Sequence, residues 1–304
     1  MGKAERNRQQ IARQRIAAQQ AAARAAAARR RALMAGGSVV VVLVLVLVLV
    51  LVKINAKPAA APKAGSATMA AVITRDVTTI PASVFNAVGA GPAGAGKVDP
   101  LTPISGAPLT ENGKPEVLFL GAEYCPYCAA ERWAMAAALS RFGTLSGLGL
   151  IHSTPNDIYS NTATLDFYKS SYVSQYLAFT PVELQTVAEK QLQTPTAAQR
   201  QLLTKWDVPP YTNQTGSIPF IYFDGKYVLN TSQYLPTVLG TTGTEDPGHF
   251  GLTWQQIAAD LRNPDSPVAQ SVLGSANTIT AGLCTLTGGQ PGSVCNSPAV
   301  KAIG

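Results

Sequence analysis

Two cysteines set two residues apart, Cys125 and Cys128 in the stretch EYCPYCAAERW at 123–133, are half of all the cysteines in this 304-residue chain. Such a pair can serve as a dithiol that exchanges with other disulfides, as half of a metal site, or as a structural bridge. What flanks it bears on the choice. The run EVLFLG at 116–121 is apolar enough for a buried strand. The run CAAERWAMAAALSRF at 128–142 is rich in helix formers and stops at Gly143. A strand that feeds C-x-x-C into a helix puts the first cysteine at the helix N-terminus, where unpaired N–H groups and the macrodipole favour an anion. Thiolate is the reactive form of cysteine. Cys125 is therefore the candidate attacking sulfur, and Cys128, one turn in, the candidate resolving one. Pro126 suits the first helical turn, where its missing N–H would have no partner anyway.

The metal alternative needs four ligands at suitable spacing. Cys284 and Cys295 stand eleven apart, and the only histidines are His152 and His249. No metal and no cofactor are expected. His152 closes the apolar run GLGLIHS, read as a second strand, and His249 follows Pro247-Gly248 in a loop. Trp133, Trp206 and Trp254 fall in expected helices and read as core. The string GAGPAGAG matches G-x-G-x-x-G at Gly89, Gly91 and Gly94. With Pro92 inside it and no helical pattern after it, it reads as a loop rather than a dinucleotide site. Cys284 and Cys295 are expected to pair with each other as a structural disulfide, since an even cysteine count suits pairing. The rival role is an electron relay to Cys125 and Cys128.

Which redox compartment the cysteines face follows from the N-terminal third. Residues 1–31 carry nine Lys or Arg against the single acid Glu5, whereas the rest of the chain is nearly neutral. The basic balance thus belongs to an Ala/Gln/Arg-rich arm, which argues against nucleic acid as a partner. Residues 33–52, LMAGGSVVVVLVLVLVLVLV, hold no charge. Twenty helical residues span about 30 Å, the hydrocarbon thickness of a bilayer. The segment is longer than a signal-peptide core and its basic lead exceeds thirty residues, so a retained anchor is expected over a cleaved signal. Arg29-Arg30-Arg31 before it hold the arm in the cytoplasm and send the rest outside, where disulfides persist. The expected organisation is a basic cytoplasmic arm at 1–32, a single-pass transmembrane helix at 33–52, a linker at 53–75 and an extracytoplasmic domain at 76–304.

Along that domain, AAVITRDVTTIP reads as a first strand or a packing arm. TATLDFYKS and YLAFTPVEL read as strand or helix. TPTAAQRQLLTKWD and TWQQIAADL read as helices, with capping boxes at Thr196/Gln199 and Thr253/Gln256. The segment from Ser266 to Gly289 reads as mostly helical. SIPFIYFDGKYVLN reads as a hairpin turning on Asp224-Gly225.

With that hairpin the second chemical piece is in place, Ser217-Ile218-Pro219 about ninety residues after the dithiol. VLFLGAEYCPYCAAERW and SIPFIYFDGKYV together resemble the thioredoxin superfamily: the first core strand, redox motif and helix, then the cis-proline loop and its hairpin. The resemblance covers roughly 115–265. The long segment between the motifs is similar to the insertion of DsbA-like oxidoreductases, and the Pro-Tyr dipeptide to glutaredoxin. The whole layout also resembles the family called domain of unknown function 929, a name that supplies no activity. What the resemblance implies is an α/β, thioredoxin-like fold with an inserted segment between dithiol and cis-proline loop. Pro219 would be the cis-proline, Ile218 would offer its backbone to a substrate peptide, and the Tyr124 ring could shield or bind substrate. One departure is that thioredoxin's buried acid, six residues before the first cysteine, is here Phe119.

The expected function is thus a membrane-tethered thiol–disulfide oxidoreductase. It would act on exported proteins and be recycled by a membrane quinone-linked thiol oxidase. The alternative is an accessory or scaffold subunit of a membrane protein complex that keeps such a domain.

Overall fold

The computed structural model describes residues 64–92 and 97–304. In chain order the elements are α1 (Ala67–Thr78), α2 (Ala82–Val88), β1 (Thr102–Pro103), β2 (Thr110–Glu111), β3 (Lys114–Gly121) and α3 (Pro126–Leu139). Then come β4 (Thr144–Ser146), β5 (Gly149–His152), β6 (Ala163–Asp166), β7 (Ser171–Val173), β8 (Ala178–Glu183) and α4 (Ala197–Trp206). The chain closes with β9 (Phe220–Phe223), β10 (Tyr227–Leu229), a 3₁₀ turn (Pro236–Leu239), α5 (Trp254–Asp260), α6 (Pro267–Leu286), α7 (Gly292–Cys295) and α8 (Pro298–Lys301). The expected arm, the membrane segment at 33–52 and the linker up to residue 63 lie outside the described residues. Among those described, no helix is long and apolar enough to cross a membrane.

β3 organises the α/β fold. It runs antiparallel to β9 on one side and parallel to β8 on the other, in a mixed sheet ordered β1-β10-β9-β3, with β2 pairing the start of β3. Both faces of this sheet are covered, which explains why EVLFLG and FIYF read as unbroken apolar runs. Val117, Phe119, Ile221 and Phe223 pack into the larger cluster with α3 and α6. Leu118, Leu120, Phe220 and Tyr222 join Val182 and Trp206 on the other face. α3 is buried nearly all round, as an Ala-rich helix can be when neighbours approach from every side.

One open reading is decided. AAVITRDVTTIP is not the first strand but a packing arm, and a helical one: α1 takes residues 67–78, capped by Ser66, and buries Ala70, Ile73 and Val77. Those positions sit three and four apart, a helical face that the β-branched content of the segment disguised. It runs across the boundary expected at 75/76. GLGLIHS forms a strand as expected, β5, ending at His152, and it pairs with β6 in a hairpin apart from the main sheet. The parallel neighbour of β3 is β8, from YLAFTPVEL. Pro181 lies inside β8 opposite Phe119, tolerated because β8 is an edge strand.

Other expectations stand in detail. Both capping boxes are formed, at Thr196/Gln199 and Thr253/Gln256. All three tryptophans are buried. Asp224 and Gly225 both take positive φ, 42° and 72°, as a type I′ turn requires. The register pairs Phe223 with Tyr227, so three residues rather than two lie between the paired positions. Gly89 caps α2 through its N–H to Phe85 O, so the glycine string follows a helix and not the buried strand a nucleotide site needs; Gly94 lies outside the described residues.

Candidate functional site

β3 ends at Gly121, and four residues later Cys125 caps α3 in extended conformation, φ −76° and ψ 122°. Its Sγ accepts the Cys128 N–H at 3.2 Å, one of the helix's unpaired donors. Pro126 occupies the first turn. The thiols are not bonded to each other. Cys125 is 4% exposed and Cys128 wholly buried, so an incoming sulfur reaches the first and not the second. Burial, and next the hydrogen bond to Cys125, push the Cys128 thiol well above the usual thiol range.

The loop before β9 arrives from the other side. The Ile218–Pro219 peptide is cis, and the Cys125 thiol donates to Ile218 O at 3.5 Å. The sequence thus brings together, over ninety residues, a sulfur and a backbone carbonyl. Asp207, which sequence reasoning did not single out, anchors the loop: its carboxylate accepts Ser217 N–H at 2.7 Å, and burial pushes its carboxyl up.

Beside Ile218 opens a hollow of about 590 Å³ whose walls include Tyr127, Tyr211, Ser217, Asn230 and Asp99. A second hollow, about 260 Å³, shares Asp99, Tyr127 and Thr231 with it and continues to Leu235, a side chain 56% exposed. Tyr127, missed by sequence reasoning, is common to both. Its ring meets Tyr159 edge-on at 5.4 Å, and burial, with Tyr159 next, pushes its hydroxyl up to about 12. It therefore stays a neutral hydrogen-bonding wall at any physiological pH. Tyr124 lines neither hollow. It packs against the core, and its carbonyl accepts Thr154 N–H at 2.8 Å.

Phe119, six residues before Cys125, is wholly buried and edge-on to Phe167 at 5.3 Å. The Glu123 carboxylate accepts Val187 N–H at 3.1 Å. Charge nevertheless lies beneath the dithiol, in a pair no motif announced. Arg132 donates from Nε and Nη2 to the two oxygens of Glu183 at 2.9 and 2.7 Å. Nη2 also donates to Ala122 O at 2.7 Å. Both side chains are fully buried.

Cys284 and Cys295 are bonded, with Cα atoms 5.6 Å apart, linking α6 to α7. Among the described residues no three His, Cys, Asp or Glu side chains gather as a metal site would. His152 stacks against Trp254 at 4.4 Å, and burial lowers its imidazole to about 4. His249 lies 2.9 Å from Gly240 O through Nε2.

The family described as Domain of unknown function (DUF929) matches residues 100–285, a span that holds the dithiol, the Ile218–Pro219 loop and most of α6. The chain belongs to that family. No curated protein and no solved structure matches it.

Proposed function

We propose that this protein is a thioredoxin-like, membrane-tethered thiol–disulfide oxidoreductase acting on exported proteins. Cys125 attacks and Cys128 resolves. The observation that carries the reading is the 3.5 Å approach of Cys125 sulfur to Ile218 O. It sets a nucleophile at a helix N-terminus against a backbone carbonyl of the loop that leads into β9, where an extended peptide would be held. Support also comes from the order of elements: β3, dithiol, α3, a parallel β8, then the antiparallel pair β9 and β10.

The exchange runs as follows. The Cys125 thiolate attacks one sulfur of a substrate disulfide, and the substrate's other sulfur leaves with the electron pair. Cys128 then attacks Cys125 in the mixed disulfide, freeing the reduced substrate and closing the Cys125–Cys128 bond. Run backwards, the same steps oxidise a substrate dithiol. With Phe119 where an acid would serve reduction, oxidation or isomerisation is the favoured direction. A membrane quinone-linked thiol oxidase would regenerate the disulfide. Ile218 and Pro219 hold the peptide backbone. Tyr127, which lines both hollows, is the substrate-facing ring, and Tyr124, packed against the core, shields the sulfur of its neighbour Cys125.

The test is a trap. Cys128→Ser should accumulate mixed disulfides through Cys125 with exported proteins, visible on non-reducing gels, and Cys125→Ser should accumulate none. An empty trap, with the protein co-purifying in a membrane complex, would replace this reading by the accessory-subunit one.

A further inference from the structure

The buried pair of Arg132 and Glu183 is an anomaly for stability alone. Ion pairs taken fully out of water often gain nothing over apolar residues of the same shape. One guanidinium nitrogen, Arg132 Nη1, is also buried without a hydrogen-bond partner. A charged donor left in that condition is costly. The protein therefore carries a partly unsatisfied cation in its interior, and its location is informative. Arg132 stands four residues after Cys128 on α3, on the same helix face. Cys128 Sγ lies only 3.4 Å from the point where a Cβ on Gly121 would stand. Gly121 is the register partner of Glu183, and the next residue, Ala122, gives its carbonyl to Arg132. Thiol, guanidinium and carboxylate thus converge on the C-terminal edge of β3.

We infer that Arg132 is a positioning residue for the redox step: it stabilises the Cys128 thiolate when the Cys125–Cys128 disulfide opens, with Glu183 holding the guanidinium in place. The inference rests on the exchange reading above. In the oxidising direction a substrate thiolate attacks Cys125 Sγ. A bond forms between those sulfurs, the Cys125–Cys128 bond breaks, and its electron pair stays on Cys128 Sγ. A second substrate thiolate then attacks the substrate sulfur of the mixed disulfide and releases the Cys125 thiolate. The substrate is oxidised by two electrons and the cysteine pair reduced by two. The leaving Cys128 sulfur is an anion in a dry site, where burial opposes it most. Of the neighbouring charges, Arg132 favours that anion, and more strongly than Glu183 on β8 opposes it. The carboxyls of Asp166 on β6 and Glu123, before α3, complete the surroundings of the pair. A cation that favours this leaving anion speeds the opening of the disulfide, since a better-stabilised leaving thiolate departs faster.

The experiment uses the full chain in detergent, oxidised to the Cys125–Cys128 disulfide, and follows the rate at which reduced glutathione opens that bond. Three variants separate charge from packing. Arg132→Gln/Glu183→Gln removes both charges at similar shape and should slow that opening at least threefold. Glu183→Gln alone leaves the cation without its paired carboxylate and should shift the rate the opposite way, speeding the opening. Arg132→Lys should retain most of the wild-type value. A purely structural role predicts no opposite signs, so same-direction shifts, or shifts under threefold, would overturn the inference. Should the double variant not fold, the sign of the Glu183→Gln shift decides alone. If the opposite shifts appear while the Cys128→Ser trap stays empty, the electrostatic inference holds and the proposed function fails.

Discussion

Glu131 meets Gln233 and Ser275, and it makes the sharpest prediction about stability. It is wholly buried on α3. Its Oε2 accepts Gln233 N–H at 3.0 Å, and the Ser275 hydroxyl lies 3.4 Å from Oε1. That hydroxyl also donates to Gln233 Oε1 at 2.8 Å, and its one proton serves one acceptor, leaving lone pairs for a protonated Glu131. Among these partners there is no cation, so burial raises the carboxyl from 4.5 to about 8, while the two hydrogen bonds pull the other way. A carboxyl whose folded value is raised contributes stability that is fully present below about pH 4.5 and is lost as pH rises through about 8. At about 1.4 kcal/mol per pH unit, the loss across that window is on the order of 5 kcal/mol. Glu131→Gln supplies a neutral group with one acceptor for Gln233 and one donor for Ser275. It should match the wild type near pH 5 and exceed it by several kcal/mol above pH 8. Urea unfolding of the full chain from pH 5 to 9.5, followed by fluorescence of the buried tryptophans, measures this. Asp166, raised by burial to about 7, weakens both proteins alike at high pH, so the difference between the two curves isolates Glu131. Parallel curves would refute the reasoning.

The Cys284–Cys295 bond closes a loop of eleven residues, worth about 3 kcal/mol in the chain-entropy account. Cys284→Ser should lower stability by about that much in denaturant titrations and leave exchange at Cys125 intact; loss of exchange at unchanged stability would instead mark a relay. A methyl group on Gly121 would run into the Phe119 ring and press on Cys128, so Gly121→Ala should destabilise by about 1–3 kcal/mol, read as a lower thermal midpoint. For topology, a cysteine placed at the exposed Val173, 72% accessible, should react with a membrane-impermeant maleimide in intact cells. One placed at Gln10 in the basic arm should react only after lysis, and the reverse pattern would overturn the external placement of the dithiol.

Residue order alone was enough for everything that depends on near neighbours. The C-x-x-C at a strand-to-helix junction, Pro126 in the first turn, both capping boxes and the positive-φ pair at Asp224-Gly225 are local events, decided within a few residues by backbone geometry and unpaired amides. Their types and spacing carry that information directly. Pairing between strands was not legible, because β5 and β8 are both short apolar runs and only packing against β3 distinguishes them. Nor was α1, whose β-branched residues favour one structure while its buried stripe at Ala70, Ile73 and Val77 demands another. The charged layer under the dithiol is the clearest case. In sequence Arg132 and Glu131 look like an ordinary solvated turn of helix, and Glu183 ends an unremarkable strand. Only when α3 is enclosed on every side and β8 lies along β3 do these groups lose water. That loss of water makes Arg132 seek Glu183, holds Glu131 protonated near neutrality, and sets a cation beside a buried thiol.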